Sequence, residues 1–183
     1  MLNEEETKKI LAYARELLKA RLTGGPEPKL ELSREVLEKK RGIFVTLKLG
    51  GRLRGCIGHI LGDEPLRESI RHMTLAAAFE DPRFPPLVLD ELKGLKIHVS
   101  LLTEPAPVKS YKDIRTGTDG IIVTLGWKKG VYLPEVATET GWDPQTFFKS
   151  CALEKAGLAE QELSKATIEV FQTEGFEDRK SVV

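Results

Sequence analysis

The sequence predicts an α+β fold, in which helices pack on a mainly antiparallel sheet. Three observations support this class. Apolar residues near the N-terminus recur at helical spacing. Apolar residues also alternate with others over 43–49, directly before the glycine pair Gly50-Gly51 that is typical of a tight hairpin. The remaining predicted strands and helices are intermixed with hairpins and show no internal repeat.

The first elements follow from these patterns. The spacing from Ile10 to Leu22 predicts an amphipathic helix, which Gly24, Gly25 and Pro26 end. A short helix is expected over 34–40. The alternating run predicts a strand over 43–49, and a second strand should run from Arg52 to about Ile60.

The later elements are predicted from turn and capping residues. A helix should begin near Pro65 and end at Asp81-Pro82, and a helix capped by Asp143 should end at Gly157. Residues 104–118 are expected to form a connection. The other predicted elements are strands at 95–103, 120–125, 131–133 and 167–173 and a short helix at 134–140.

Composition excludes several classes of protein. The 183 residues carry 28 basic and 28 acidic side chains, so neither a disordered chain nor a globally basic nucleic-acid binder is expected. No apolar stretch approaches the length of a membrane span, and the charged N-terminus is unlike a secretory signal. The two cysteines, Cys56 and Cys151, indicate reduced thiols in a cytoplasmic protein.

The charge is unevenly distributed along the chain. Residues 1–60 have a net charge of +5, residues 61–126 of −2 and residues 127–183 of −3. The basic third is either a solvated bipolar surface or a face that attracts an anion or an acidic partner. Because glutamates interleave with its basic residues, the solvated surface is the favoured interpretation.

The run Leu53-Arg54-Gly55-Cys56-Ile57-Gly58 is the most unusual stretch. Glycines within a strand mark a bulge or a close backbone approach. With a two-residue turn, Arg54 would oppose Leu47 and Cys56 would oppose Val45, so both would lie on the apolar face. A guanidinium there needs an anionic partner, either an internal carboxylate such as Asp81 or a bound ligand.

Two interpretations of this run remain open. In one, Cys56 is a nucleophile and Arg54 binds an anionic group or lowers the pKa of the thiol. In the other, Cys56 is a small buried side chain and Arg54 forms a structural ion pair, which is the commoner fate of such residues.

No metal site or cofactor is predicted. Cys56, His59 and His72 have a superficially zinc-like spacing, but a fourth ligand does not follow, and a regular strand points Cys56 and His59 to opposite faces. His98 alternates with core positions and should lie off the core face. Nucleotide-binding, nucleophile-elbow and metalloprotease motifs do not occur in the sequence.

The segment Asp81-Pro82-Arg83-Phe84-Pro85-Pro86 predicts a stiff loop. Its two charged residues, Asp81 and Arg83, could line a ligand site, because stiff loops present side chains accurately. Alternatively, the loop is a rigid connection whose Phe84 fills the core.

The hexapeptide at 53–58 resembles the hallmark motif of the AMMECR1 family. Other matching motifs occur in order over nearly the whole chain: Phe44-Val45-Thr46-Leu47, the loop at 81–86, Glu91-Leu92, Val99-Ser100, Asp119-Gly120, Leu133-Pro134, Val136-Ala137, Gly141-Trp142, Lys155-Ala156-Gly157-Leu158, Phe171 and Phe176. Two departures are Glu135, where the family often has Gln, and the absence of a Trp after the string at 155–158.

The resemblance implies two unequal α+β lobes with a cleft between them, a smaller lobe within about 62–160 and a larger one from the N-terminal part plus the C-terminal strand. It selects Arg54, Gly55, Cys56 and Gly58 as site residues. The resemblance also implies that the protein acts together with two companion proteins, a Memo-like protein and a radical S-adenosylmethionine protein.

Three functional hypotheses follow. The first is a binding or assembly component that contacts its companions through the motif. The second is a cysteine-dependent enzyme that uses Cys56 on a small anionic substrate. The third is a nucleic-acid-associated regulator that uses the basic third of the chain.

Overall fold

A computed structural model of the chain describes residues 2–178 and contains two separate four-stranded sheets. The first belongs to a compact unit formed by residues 2–102 and 174–178, and the second to a unit spanning Thr103–Thr173. The strand pairs are antiparallel and helices accompany both sheets, which confirms the α+β class. The smaller unit thus begins at Thr103, whereas the sequence placed a smaller lobe within about 62–160.

The elements, in chain order, are α1 (Glu4–Thr23), α2 (Arg34–Leu37), β1 (Ile43–Leu49), β2 (Arg52–His59), α3 (Leu66–Phe79), α4 (Leu89–Leu92), β3 (Leu95–Leu102), β4 (Ala106–Val108), β5 (Gly120–Leu125), β6 (Lys128–Tyr132), α5 (Pro134–Thr140), α6 (Pro144–Ser150), β7 (Thr167–Phe171) and β8 (Thr173–Glu177). The first sheet has the strand order β2-β1-β3-β8 and the second the order β4-β7-β5-β6.

Helix α1 shows why the N-terminal pattern folds as it does. Asn3 and Glu6 form a reciprocal capping box at its start, and Gly24 ends it in the left-handed conformation with φ of 71°. Its apolar stripe is buried from Ile10 to Leu18 in the core of the first unit, Leu22 is partly buried, and the remaining faces carry the charged residues.

Helix α3 packs unusually closely on strand β2. A Cβ atom placed on Gly55 would lie 2.0 Å from the carbonyl oxygen of Ala77, so only glycine lets the helix backbone approach to this distance. The small side chains of Ala76, Ala77 and Ala78 are buried at the same contact. The predicted close approach at Gly55 is therefore confirmed.

Four expectations for the elements need correction. The connection over 104–118 contains a short strand, β4, and a 3₁₀ turn. The C-terminal run forms two strands, β7 and β8, in different sheets. Helix α4 follows the proline-rich loop and was not predicted, since four residues give no periodic pattern. Helix α6 ends at Ser150 and continues as a π-helical turn over Cys151–Lys155.

Over residues 2–178, none of the helices has the length and apolar character that crossing a bilayer requires.

Candidate functional site

A β-bulge in strand β2 decides which face the motif residues occupy. Leu47 is paired with Gly55, whereas the next residue, Lys48, is paired with Leu53, so Arg54 is an extra residue on β2. As a result Cys56 opposes Thr46, not Val45. The prediction that Arg54 opposes Leu47 and that Cys56 lies on the apolar face is wrong, because a bulge shifts every following residue by one position.

Arg54 forms an internal ion pair with Glu91 of helix α4. Its Nε and Nη2 donate to the two carboxylate oxygens of Glu91 at 2.7 and 2.9 Å, and the same carboxylate accepts the backbone N–H of Val88. Arg54 is 8% exposed. Hydrogen bonding across the pair raises the pKa of Arg54 and lowers that of Glu91. The internal partner of Arg54 is thus Glu91, and Asp81 has another role.

Asp81 fixes the backbone of Cys56 from outside the sheet. One carboxylate oxygen accepts the backbone N–H of Cys56 at 2.8 Å and Arg83 Nη2 at 2.7 Å, while the other accepts the backbone N–H and Nε of Arg83. Arg83 Nη2 also donates to the Cys56 carbonyl at 3.2 Å. The Arg83 guanidinium holds the pKa of Asp81 well below its usual range, although burial opposes this.

These contacts occupy an edge that would otherwise be open. Strand β2 is at the edge of its sheet, so its outward N–H and C=O groups have no neighbouring strand. Asp81 and Arg83 take the place of that strand at Cys56. The stiff loop at 81–86 therefore fixes the backbone of Cys56 through Asp81 and Arg83, and the ligand-binding role of these two residues stays a prediction.

The thiol of Cys56 lies on the sheet face opposite to the core. Because the backbone groups of Cys56 point outward to the loop, Cys56 and Thr46 form a non-hydrogen-bonded pair, in which side chains are closest. The Cys56 Sγ is accordingly 3.2 Å from Thr46 Oγ1. Cys56 is partly exposed. Cys56 thus lies outside the core, and the strand that carries it is held on one side by β1 and on the other by the loop.

Gly58 admits an aromatic ring. A Cβ atom at Gly58 would lie 2.4 Å from the Phe44 ring and 2.3 Å from the Ile43 carbonyl oxygen, so Phe44 covers the backbone of β2 at this point. Gly55 and Gly58 thus both have packing roles, one on each face of the strand.

The histidines do not form a cluster with Cys56. His59 Nδ1 is 2.6 Å from the Leu61 carbonyl oxygen, and His72 pairs with Glu64. His98 opposes Thr46 on strand β3, which places it on the same face as Cys56, and its Nε2 is 3.0 Å from Ser100 Oγ. Within residues 2–178, no group of three or more His, Cys, Asp or Glu residues could hold a metal ion.

Cys151 is a core residue of the second unit. It is fully buried, and burial raises its pKa to about 12. Its neighbours in this core include Phe147 and Tyr132. Glu135, the departure from the family pattern, lies at the start of α5 and lines a cavity of about 420 Å³ with Thr138 and Glu139.

Glu91 and Thr46 are site residues that were not predicted as such. Both occur in motifs that match the family pattern, but their contacts depend on the loop geometry and on the bulge. The described part of the chain therefore defines an α+β protein whose first sheet carries a partly exposed thiol at a fixed edge position.

The matching family model is that of AMMECR1, and it covers residues 11–176. The chain is 40% identical over 164 residues to a protein of Methanothermobacter thermautotrophicus, and the alignment covers 86% of this chain and 85% of the relative. It is 38% identical over 185 residues to a protein of Methanosarcina mazei, and this alignment covers 96% of the chain and 92% of the relative. The crystal structure of the uncharacterized protein PH0010 from Pyrococcus horikoshii matches with a TM-score of 0.81 and 32% sequence identity. The match covers 97% of this chain and 94% of the chain in that structure. The chain belongs to the AMMECR1 family.

Proposed function

We propose that this protein acts as a component that contacts companion proteins, a Memo-like protein and a radical S-adenosylmethionine protein, through strand β2. One observation carries the proposal. Both outward backbone groups of Cys56 are held by the buried Asp81 and by Arg83, so that the motif is presented at a fixed position. Binding surfaces that are rigid before contact lose less conformational entropy when a partner binds.

Exposed apolar side chains near the motif support this role. Leu53 is 41% exposed and precedes Arg54, and Val88 and Leu89 are 55% and 48% exposed next to Glu91. The Arg54–Glu91 pair connects the segments that carry them. Large apolar side chains close together at a surface are typical of protein–protein contacts.

Co-purification tests the proposal. The tagged protein is co-expressed with the Memo-like and radical S-adenosylmethionine proteins, either as wild type or with Leu53→Asp. We expect the wild type to retain a companion and Leu53→Asp to lose at least about nine-tenths of it, because a charge would enter an apolar contact.

Trp127→Asp is the matched control, since Trp127 is 75% exposed and lies in the other compact unit. It should retain the companion, and Cys56→Ala should too, because the thiol is not needed for docking. Equal retention by wild type and Leu53→Asp would contradict the role of β2, as would failure of the wild type to retain either companion.

A second candidate function is a cysteine-dependent reaction at Cys56. The observation that favours it is the partly exposed thiol beside a fixed guanidinium, that of Arg83. The anionic substrate would then meet Arg83, since the guanidinium of Arg54 is committed to Glu91. This function requires that iodoacetamide modifies Cys56 faster than Cys151 in the native protein.

The nucleic-acid hypothesis has less support. Many basic side chains of the first sixty residues are paired with carboxylates, which favours a solvated, salt-bridged surface. These pairs include Lys8–Glu4, Lys9–Glu5, Arg15–Asp178, Lys19–Glu16, Lys39–Glu35, Arg41–Glu174 and Arg54–Glu91.

A further inference from the structure

The guanidinium of Arg83 has donors that the described residues do not use. Its Nε donates to Asp81, and its Nη2 donates to both Asp81 and the Cys56 carbonyl. The Nη1 atom donates to none of residues 2–178, and the side chain is 55% exposed. Of the five N–H groups of the guanidinium, the two on Nη1, here called the Nη1 edge, are therefore left to donate charge-assisted hydrogen bonds to an oxyanion.

The position of this edge is fixed. The Asp81 side chain, only 2% exposed, holds Nε and Nη2 together, and the Phe84 ring lies 5.5 Å from the Arg83 Cζ. A guanidinium held in this way is already oriented before a ligand arrives.

The same guanidinium adjoins Cys56. Its Nη2 is 3.2 Å from the Cys56 carbonyl oxygen, and the thiol belongs to that residue. The hydrogen bond to Asp81 raises the pKa of Arg83 most, and a charge on Cys56 raises it further. An anion bound at Nη1 would therefore lie beside the residue that carries the thiol.

We propose that the Nη1 edge of Arg83 and the Cys56 thiol together form a site for a small ligand that carries a carboxylate or phosphate group next to an electrophilic carbon. The proposal rests on the second candidate function, in which Cys56 is a nucleophile. It moves the anion-binding role from Arg54 to Arg83.

The second unit contains a control for this site. Asp119, which is buried, accepts the backbone N–H, Nε and Nη2 of Arg115, and a fourth hydrogen bond comes from Gln172. The Arg115 side chain is 66% exposed. Arg115 thus repeats the buried-carboxylate arrangement of Arg83 without Cys56 in its unit.

Iodoacetate and iodoacetamide test the proposal, because they deliver the same reactive carbon with and without a carboxylate. In both reactions the Cys56 sulfur attacks the carbon that bears iodine, an S–C bond forms, the C–I bond breaks, iodide leaves and the thiol proton passes to the buffer. The ratio of the two rate constants at Cys56 is measured by peptide mass spectrometry for wild type, Arg83→Gln and Arg115→Gln.

We expect Arg83→Gln to lower the iodoacetate-to-iodoacetamide ratio about tenfold, which is the effect of one charge-assisted hydrogen bond at a partly exposed position. Arg115→Gln should leave the ratio unchanged. Added acetate and inorganic phosphate should each slow the iodoacetate reaction of the wild type, and the more effective one identifies the anionic group of the ligand.

An unchanged ratio in Arg83→Gln would overturn the proposal while leaving the nucleophile in place. If neither reagent modifies native Cys56, the second candidate function fails and the ligand site fails with it. Any loosening of the loop in Arg83→Gln alters both rates, and their ratio removes that contribution.

Discussion

Replacing Gly55 with Ala is expected to destabilise the protein by about 3 kcal/mol or more, which is the upper range for inserting a methyl group into a packed core. The new Cβ would lie 2.0 Å from the Ala77 carbonyl oxygen and 3.1 Å from its carbonyl carbon. Both atoms are helix backbone, so relief requires α3 to move from the sheet. Urea unfolding followed by circular dichroism measures the free energy.

Gly25→Ala is the matched control for Gly55→Ala. Its Cβ would meet nothing closer than Thr23 Oγ1 at 3.4 Å, which is ordinary contact. We expect its free energy of unfolding to change by less than about 0.5 kcal/mol. If Gly55→Ala were as stable as Gly25→Ala, the close approach of α3 to β2 would be wrong.

Glu91→Gln is expected to cost about 3 kcal/mol at pH 7, because it leaves the Arg54 charge nearly buried without its partner. The side chains of Arg54 and Glu91 are only 10% and 22% exposed. Glu27→Gln is the matched control. Glu27 forms an equally bidentate pair with Arg71, but these side chains are 47% and 36% exposed, so a cost below about 1 kcal/mol is expected.

The pH dependence of this difference has a defined sign. The pKa of Glu91 is lowered in the folded protein, chiefly by the hydrogen bond from Arg54. Its contribution to stability is therefore complete above the unfolded pKa, about 4.3, and is lost as the pH falls through the folded pKa. The difference between wild type and Glu91→Gln should be constant above about pH 5.5 and shrink in more acidic buffer. A difference that grows below pH 4 would contradict the ion pair.

Most of the first sheet could be predicted from the sequence. The alternation over 43–49 and the glycine pair at 50–51 define the hairpin, and Leu49 opposes Arg52 as expected. The position of the bulge at Arg54 could not be predicted, because the glycines of the run indicate a bulge or a close approach without showing at which residue the pairing shifts. Its consequence is large, since it moves Cys56 from the apolar face to the opposite one.

For the candidate site, the sequence predicted which residues to consider better than it predicted the contacts between them. Cys56, Asp81 and Arg83 are in direct contact, whereas Arg54 forms its ion pair with Glu91. Which of two carboxylates pairs with an arginine depends on where a four-residue helix lies, and short helices have no sequence period.

Both candidate functions rest on the claim that Cys56, held at the sheet edge by Asp81 and Arg83, is accessible in the native protein. The most direct test is the rate at which iodoacetamide modifies Cys56 and Cys151 in native protein at pH 7, with urea-unfolded protein as the control. We expect Cys56 to react at least about a hundredfold faster, since Cys151 is fully buried with a pKa near 12 and forms almost no thiolate. Slow, equal modification of both thiols in the native protein, with fast modification after unfolding, would contradict the claim.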